Sequence, residues 1–289
     1  MLCKLTAFET HISFPHFPVV LCLIYAQYTQ LYTACQEKIL NGCESSLPGL
    51  NIDIVSLQRY SKCMEDFLYH GSNHIMEKPA YGLGELHNDY GRGFYCTRDQ
   101  ELAKEWACGD DHDGIVNVYS LKIKGLKILH LNESPYCILN WLAVLTRFRS
   151  YWERNSISSQ AKAWLQEHFF VDPSLYDIVI GYRADDSYFS FARDFVSNSI
   201  SLRQLSEAMR LGRLGEQVVL ISRKAFNRIS FHSFFPADAS EYYEKRMIRD
   251  KLAREEYRKQ RAAGLLQDEL YMIDIMRRNM SAEEIRAYV

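Results

Sequence analysis

From residue 66 onward the apolar positions fall into short runs with strand-like spacing, separated by stretches with helical spacing. Asp66-Phe67-Leu68-Tyr69 predicts a strand entering the Gly71-Ser72 turn, and Gly93 to Thr97 predicts another. Further strand patterns occupy Ile115–Ile123, Leu126–His130, Tyr176–Ile180, Gln217–Ser222 and Ile229–Phe231, each bounded by Gly, Asp or Asn. Helical spacing marks Gln100–Ala107, Asn140–Phe148, Ser201–Leu211 and Ser159–Phe169, where Ala161, Trp164, Leu165 and His168 share a face. So irregular a mixture implies an α+β fold rather than regular βαβ alternation.

The flanks differ from this centre, so the chain divides into residues 1–65, 66–235 and 236–289. The first region has apolar stretches broken by Pro15, Pro18 and the turn-rich Asn41 to Gly49, and fits two or three helices. Its most apolar run, Val19 to Ala26, is far below the roughly 20 residues needed to cross a bilayer. A buried helix accounts for that run better than a secretory signal. From Ala239 the chain becomes a charged helical tail with opposite charges at i,i+4 spacing, interrupted at Gly264 and continued by a Leu266, Leu270, Ile273 stripe. A solvated helix docked by one face, or an arm for self-association or for gripping a partner, would read this way.

Composition narrows the classes. The 289 residues carry 34 basic and 36 acidic side chains, a formal net charge of −2, so no bulk attraction to nucleic acid or anionic membrane is built in. Nineteen Tyr, fifteen Phe and four Trp supply both core and stacking surface. The eight cysteines follow no CxxC or other metal-ligand spacing and read as reduced thiols of a cytoplasmic protein. No metal is expected: His70 and His74, and Asp110-Asp111-His112-Asp113, form no recognisable ligand pattern.

Two segments carry candidate chemistry. His70 ends a hydrophobic strand, Gly71 lets a flat amide approach the main chain, and Ser72 offers a hydroxyl. Taken alone, His70 reads as a strand-end histidine bonded to a carbonyl. In the second segment Gly91-Arg92-Gly93 makes a tight turn, after which Tyr95 and Thr97 face opposite to Phe94 and Cys96. Thr97-Arg98-Asp99-Gln100 then caps a helix bearing Trp106. A strand with Tyr95 beside a helix with Trp106 can close two ring faces on a planar heterocycle.

Leu68 to Ser72 resembles the strand-plus-His-Gly-Ser motif of the poly(ADP-ribose) polymerase and diphtheria-toxin branch of ADP-ribosyltransferases. Gly91 to Trp106 resembles that branch's Gly-basic-Gly-aliphatic-Tyr segment and its helix. More closely, Leu68 to Phe231 looks like the bacterial domain of unknown function DUF3990, including Gly93-Phe94-Tyr95, Trp106-Ala107 and Asp177-Ile178-Val179-Ile180-Gly181 leading to Ala184-Asp185-Asp186. The resemblance implies a split β-sheet core, two small sheets meeting at an NAD cleft, flanked by N- and C-terminal helices. It assigns NAD, as substrate, to His70, Gly71, Ser72, Tyr95 and Trp106: His70 to a ribose hydroxyl, Gly71 to the carboxamide, and the two aromatics to the nicotinamide. The implied activity is mono-ADP-ribosyl transfer to a macromolecule, a protein before a nucleic acid, in a cytoplasmic bacterial enzyme acting as a toxin, effector or defence protein. NAD glycohydrolysis and an inactive NAD- or ADP-ribose-binding module are the alternatives.

The departures from the family pattern are specific. Trp106 stands where a Tyr is usual, and Ala103 where a Ser often holds the amide. The family's catalytic Glu aligns with Gln217, with Glu216 one residue away and on the opposite strand face. Gln217 can orient a hydroxyl but supplies no charge to a cationic transition state, which disfavours chain elongation. Asp185 and Asp186 read as helix-capping or acceptor-side groups, and Tyr188, Phe189, Phe191 and Phe195 as core or an acceptor surface.

Overall fold

A computed structural model describes residues 67–150, 156–211, 215–262 and 268–289. The helices expected before residue 66, Asp66 itself, and the segment around Gly264 and Leu266 lie outside these residues. The described part belongs to one compact unit, Met64–Val289.

Seven strands form its centre: β1 (Phe67–Ser72), β2 (Phe94–Thr97), β3 (Gly114–Leu121), β4 (Ile128–His130), β5 (Ile178–Tyr182), β6 (Glu216–Leu220) and β7 (Ile229–Ala237). They build a single open sheet in the order β4, β5, β6, β2, β1, β3, β7, and of its neighbouring pairs only β4 and β5 run parallel. The fold is therefore α+β, but the two separate sheets expected from the sequence are corrected to one. The join is thin. β1 meets β3 at six positions from Phe67↔Ser120 to Ser72↔Ile115, yet meets β2 only at Tyr69↔Thr97. β2 in turn gives four positions to β6. The ladder thus stays continuous while β1 and β2 part beyond one contact, and the cleft lies beside that parting.

Both faces of the sheet are covered, as strict alternation requires. Val219 and Val179 face a core with helices α2 (Ile138–Phe148), α4 (Asp186–Val196) and α5 (Leu202–Ala208), whereas Val218, Leu220, Ile178 and Ile180 join Phe94 and Cys96 on the other side. Helix α1 (Gln100–Ala107) starts at Asp99, whose carboxylate accepts from the N–H groups of Glu101 and Leu102. It crosses β1 so closely that a Cβ on Gly71 would lie 2.7 Å from the Ala107 nitrogen. Backbone crossing is by itself sufficient reason for glycine there.

Helix α4 was missed. Its aromatic run was open between core and surface; Tyr188, Phe191 and Phe195 are almost wholly buried and Phe189 is buried with them, so the run is core. The remaining helices are α3 (Ser156–His168), the short α6 (Arg223–Phe226), α7 (Ala239–Ala262), α8 (Met272–Arg278) and α9 (Ala282–Tyr288). Strand β7 runs through the expected boundary at 235, and α7 docks one face: Tyr242, Ala253 and Tyr257 are buried, Arg249 Nε lies 2.9 Å from Glu105 Oε2, and the Tyr257 hydroxyl donates to Asp194 at 2.6 Å. Among the described residues no helix is long and apolar enough to cross a membrane.

Candidate functional site

His70 sits at the parting of β1 and β2. Its Nδ1 lies 2.8 Å from the Tyr95 carbonyl oxygen, which can only accept, so Nδ1 carries the proton. Burial, the larger influence, lowers the imidazole pKa below its ordinary value, against the raising effect of that bond. The neutral ring keeps a lone pair on Nε2 as an acceptor. The reading of His70 as bonded to a carbonyl is therefore correct for Nδ1, but β1 runs on through Gly71 to Ser72, so His70 lies within the strand rather than at its end. No partner of Nε2 is found among the described residues. Phe94 packs against the ring at 4.4 Å between centroids.

The Tyr95 hydroxyl donates to the Gly91 carbonyl at 2.6 Å and accepts from the Tyr90 N–H at 3.1 Å. Both bonds pin the phenol to the turn preceding β2, and burial raises its pKa. Gln217, opposite Thr97 on β2 and Gly181 on β5, is 4% exposed; its amide nitrogen donates to Asp89 Oδ2 at 2.7 Å and to the Tyr182 carbonyl at 3.3 Å.

A second, more polar group of side chains lines the same cavity. The Arg183 guanidinium carbon stands 3.0 Å from the centre of the Trp106 ring, covering one face of the indole expected to stack on a heterocycle. Burial lowers the Arg183 pKa to about 10, and its Nε lies 3.4 Å from Asp185 Oδ2. Trp106 Nε1, Arg183 Nη1 and Asp185 Oδ1 are buried without a hydrogen-bond partner. Three such atoms in one place are unusual, because buried polar groups normally find partners. Asp185 stands at the N-cap of α4, but its side chain makes no capping bond, which corrects the capping expectation for it.

A cavity of about 500 Å³ is lined by His70, Gly71, Tyr95, Trp106 and Gln217 together with Asp89, Arg149, Arg183 and Asp185. That size suits a small molecule or cofactor. Two of the expected residues are not brought to it. The Ser72 hydroxyl donates to the His74 carbonyl at 2.6 Å and accepts from the Asn117 amide at 3.0 Å, and so closes the turn after β1. Glu216 is exposed on the other strand face and accepts from Asn132 at 2.8 Å.

Asp89, Arg149 and Arg183 were not anticipated. Asp89 is 6% exposed; its Oδ2 also accepts from the Ala184 N–H at 2.8 Å, and Arg149 Nε lies 3.6 Å from its Oδ1. Burial raises its pKa, against the lowering effects of the Ala184 bond, Arg149 and Gln217. The one signal for it in the sequence is an Asp immediately before Tyr90-Gly91, in a segment whose turn residues otherwise suggest solvent.

Fold and cavity together define a mixed α+β protein with a ligand-sized cleft at a sheet parting. The chain belongs to the DUF3990 family, a family described as protein of unknown function, whose sequence profile matches residues 67–231, more than half the chain. No curated protein and no solved structure matches it.

Proposed function

We propose that this protein is an NAD-dependent mono-ADP-ribosyltransferase that moves ADP-ribose to a macromolecular acceptor, a protein before a nucleic acid, and releases nicotinamide. The observation that carries the reading is convergence: His70, Gly71, Tyr95, Trp106 and Gln217, dispersed along the sequence, line one cavity of about 500 Å³. The unpartnered atoms of Trp106, Arg183 and Asp185 at the same cavity give a polar ligand groups to bond. Of the expected site residues, His70, Tyr95 and Gln217 would hold the ribose and nicotinamide, while Ser72 and Glu216 drop out of the contact set. Gly71 lines the cleft, so the carboxamide can approach its main chain.

A second reading, an NAD- or ADP-ribose-binding module without turnover, draws on two observations: Gln217 carries no charge, and Arg183 covers one Trp106 face. NAD glycohydrolysis is the same chemistry with water as acceptor. Incubating the full chain with NAD labelled in the ADP-ribose moiety and a cell extract separates the three. Label on macromolecules supports transfer, free ADP-ribose with nicotinamide supports hydrolysis, and retention of intact NAD supports the module; absence of both binding and turnover overturns all of them.

A further inference from the structure

The orientation of the Gln217 amide follows from chemistry. Both groups within reach of its nitrogen, the Asp89 carboxylate and the Tyr182 carbonyl, are acceptors, so the NH2 must face them. The amide oxygen is then the group left to offer a ligand, and no donor to it is found among the described residues. Asp89 is itself held in place, by the Ala184 N–H on one oxygen and by Arg149 near the other. An anion accepting from an amide N–H also draws charge onto the amide oxygen, because bonded dipoles polarise one another in a buried setting.

We propose that Asp89 is a positioning residue for Gln217: it locks the side-chain amide so that its oxygen is an obligate, charge-enriched acceptor for a ligand hydroxyl of the kind a ribose carries. This rests on the NAD reading of the cleft. The pair divides between two residues what one carboxylate could do alone, the charge lying on Asp89 and the contact on Gln217. A carboxylate at 217 would meet Asp89 at hydrogen-bond distance, and two such groups cannot both ionise. Gln217→Glu is therefore harmful while Asp89 is present and useful once Asp89 is Asn.

The test uses the full chain and reads nicotinamide release, NAD affinity by calorimetry, and thermal melting. Asp89→Asn and Gln217→Glu each lower kcat about ten- to a hundredfold at neutral pH in folded protein. Asp89→Asn/Gln217→Glu recovers to within about tenfold of wild type. Wild-type activity also falls on the acid side as Asp89 takes a proton in a setting that includes Arg149, Arg183, Tyr90 and Tyr95, and that fall is absent in Asp89→Asn. Wild-type turnover in Asp89→Asn, or a double variant no better than Gln217→Glu, overturns the proposal. A lowered melting point in Asp89→Asn with kcat and the acid fall unchanged makes Asp89 merely structural and overturns it too. Should Asp89→Asn fail to fold, Gln217→Glu against the double variant decides. If the wild type binds NAD without releasing nicotinamide, the same pattern is read in the dissociation constant. A wild type that neither binds NAD nor releases nicotinamide overturns the NAD reading as well, and is thereby distinguished from failure of the Asp89 assignment alone.

Discussion

The cleft is lined by two sets of groups that are bonded differently, a strand wall and a second, unsaturated wall. On the strand wall, His70 Nδ1, the Tyr95 hydroxyl and the Gln217 amide nitrogen are all committed to bonds of 2.6 to 3.3 Å, mostly to backbone, and the elements beneath them are sheet. On the second wall Trp106, Arg183 and Asp185 each leave one buried polar atom unbonded, and Arg183 makes a face-on contact with Trp106 and one ion pair with Asp185. A saturated wall offers few chosen acceptors and needs no rearrangement to do so. An unsaturated wall stores a cost that a ligand can remove. The first set holds its groups in fixed orientations, and the second leaves polar atoms free to pair.

If that contrast is correct, the largest effect belongs to the strand wall. His70→Ala should lower nicotinamide release by about a hundred- to a thousandfold, the scale of losing one preorganised catalytic hydrogen bond. Melting temperature checks that the fold survives, since His70 is only partly buried. Retained turnover in folded His70→Ala would remove the strand wall from the chemistry.

The same contrast explains what could be read in the sequence. Helix α1 was legible in its bounds, Gln100–Ala107, because its apolar spacing is local, while its cap, read only to the stretch Thr97–Gln100, is Asp99. His70, Gly71, Tyr95 and Trp106 were legible because each lies in a short segment whose residue types already suggest a strand end, a close approach or a ring face. The single sheet was not, because it depends on β2 pairing with β6, a contact between segments far apart in the chain. Asp89 and Arg183 were hidden for a related reason. A charged residue in a turn looks solvated until its surroundings are known; Asp89 is buried and Arg183 half-buried, both against segments distant in sequence. Helix α4 was obscured by its aromatic density, which suits a core or a docking surface equally well.

A smaller effect, of opposite sign, tests the second wall. Arg183 covers one indole face, so removing it should expose a stacking surface at the loss of a cation–π contact worth about 1–2 kcal/mol in a desolvated place. Free nicotinamide is the suitable probe because it is neutral and does not depend on the charge of Arg183. Arg183→Ala should bind nicotinamide up to about tenfold more tightly than wild type, measured by tryptophan fluorescence, and Trp106→Ala in the same background should cancel the gain. Weaker nicotinamide binding in Arg183→Ala would mean that the guanidinium is part of the nicotinamide site rather than its occupant.

The smallest expected effect concerns stability and the neutral state of His70. Its folded pKa lies below the ordinary value near 6.5, chiefly because burial disfavours the charged ring. Above pH 6.5 the ring is neutral in folded and unfolded chains alike, and it contributes no pH dependence. As pH falls through 6.5 the unfolded chain takes the proton first, so stability declines until the folded pKa is passed. Between pH 8 and pH 5 this one group can account for at most about 2 kcal/mol, taking roughly 1.4 kcal/mol per unit over the window below 6.5. Asp89 tilts the other way, since its raised pKa makes the folded chain hold a proton longer as pH rises from the usual carboxylate range, and it therefore adds no loss in the same direction. Urea unfolding of wild type and His70→Gln at the two pH values isolates the term: the variant should lose less stability on acidification than wild type does. An equal or greater loss in the variant would show that His70 is not held neutral, and its Nε2 would then be a donor rather than the acceptor that the strand wall offers.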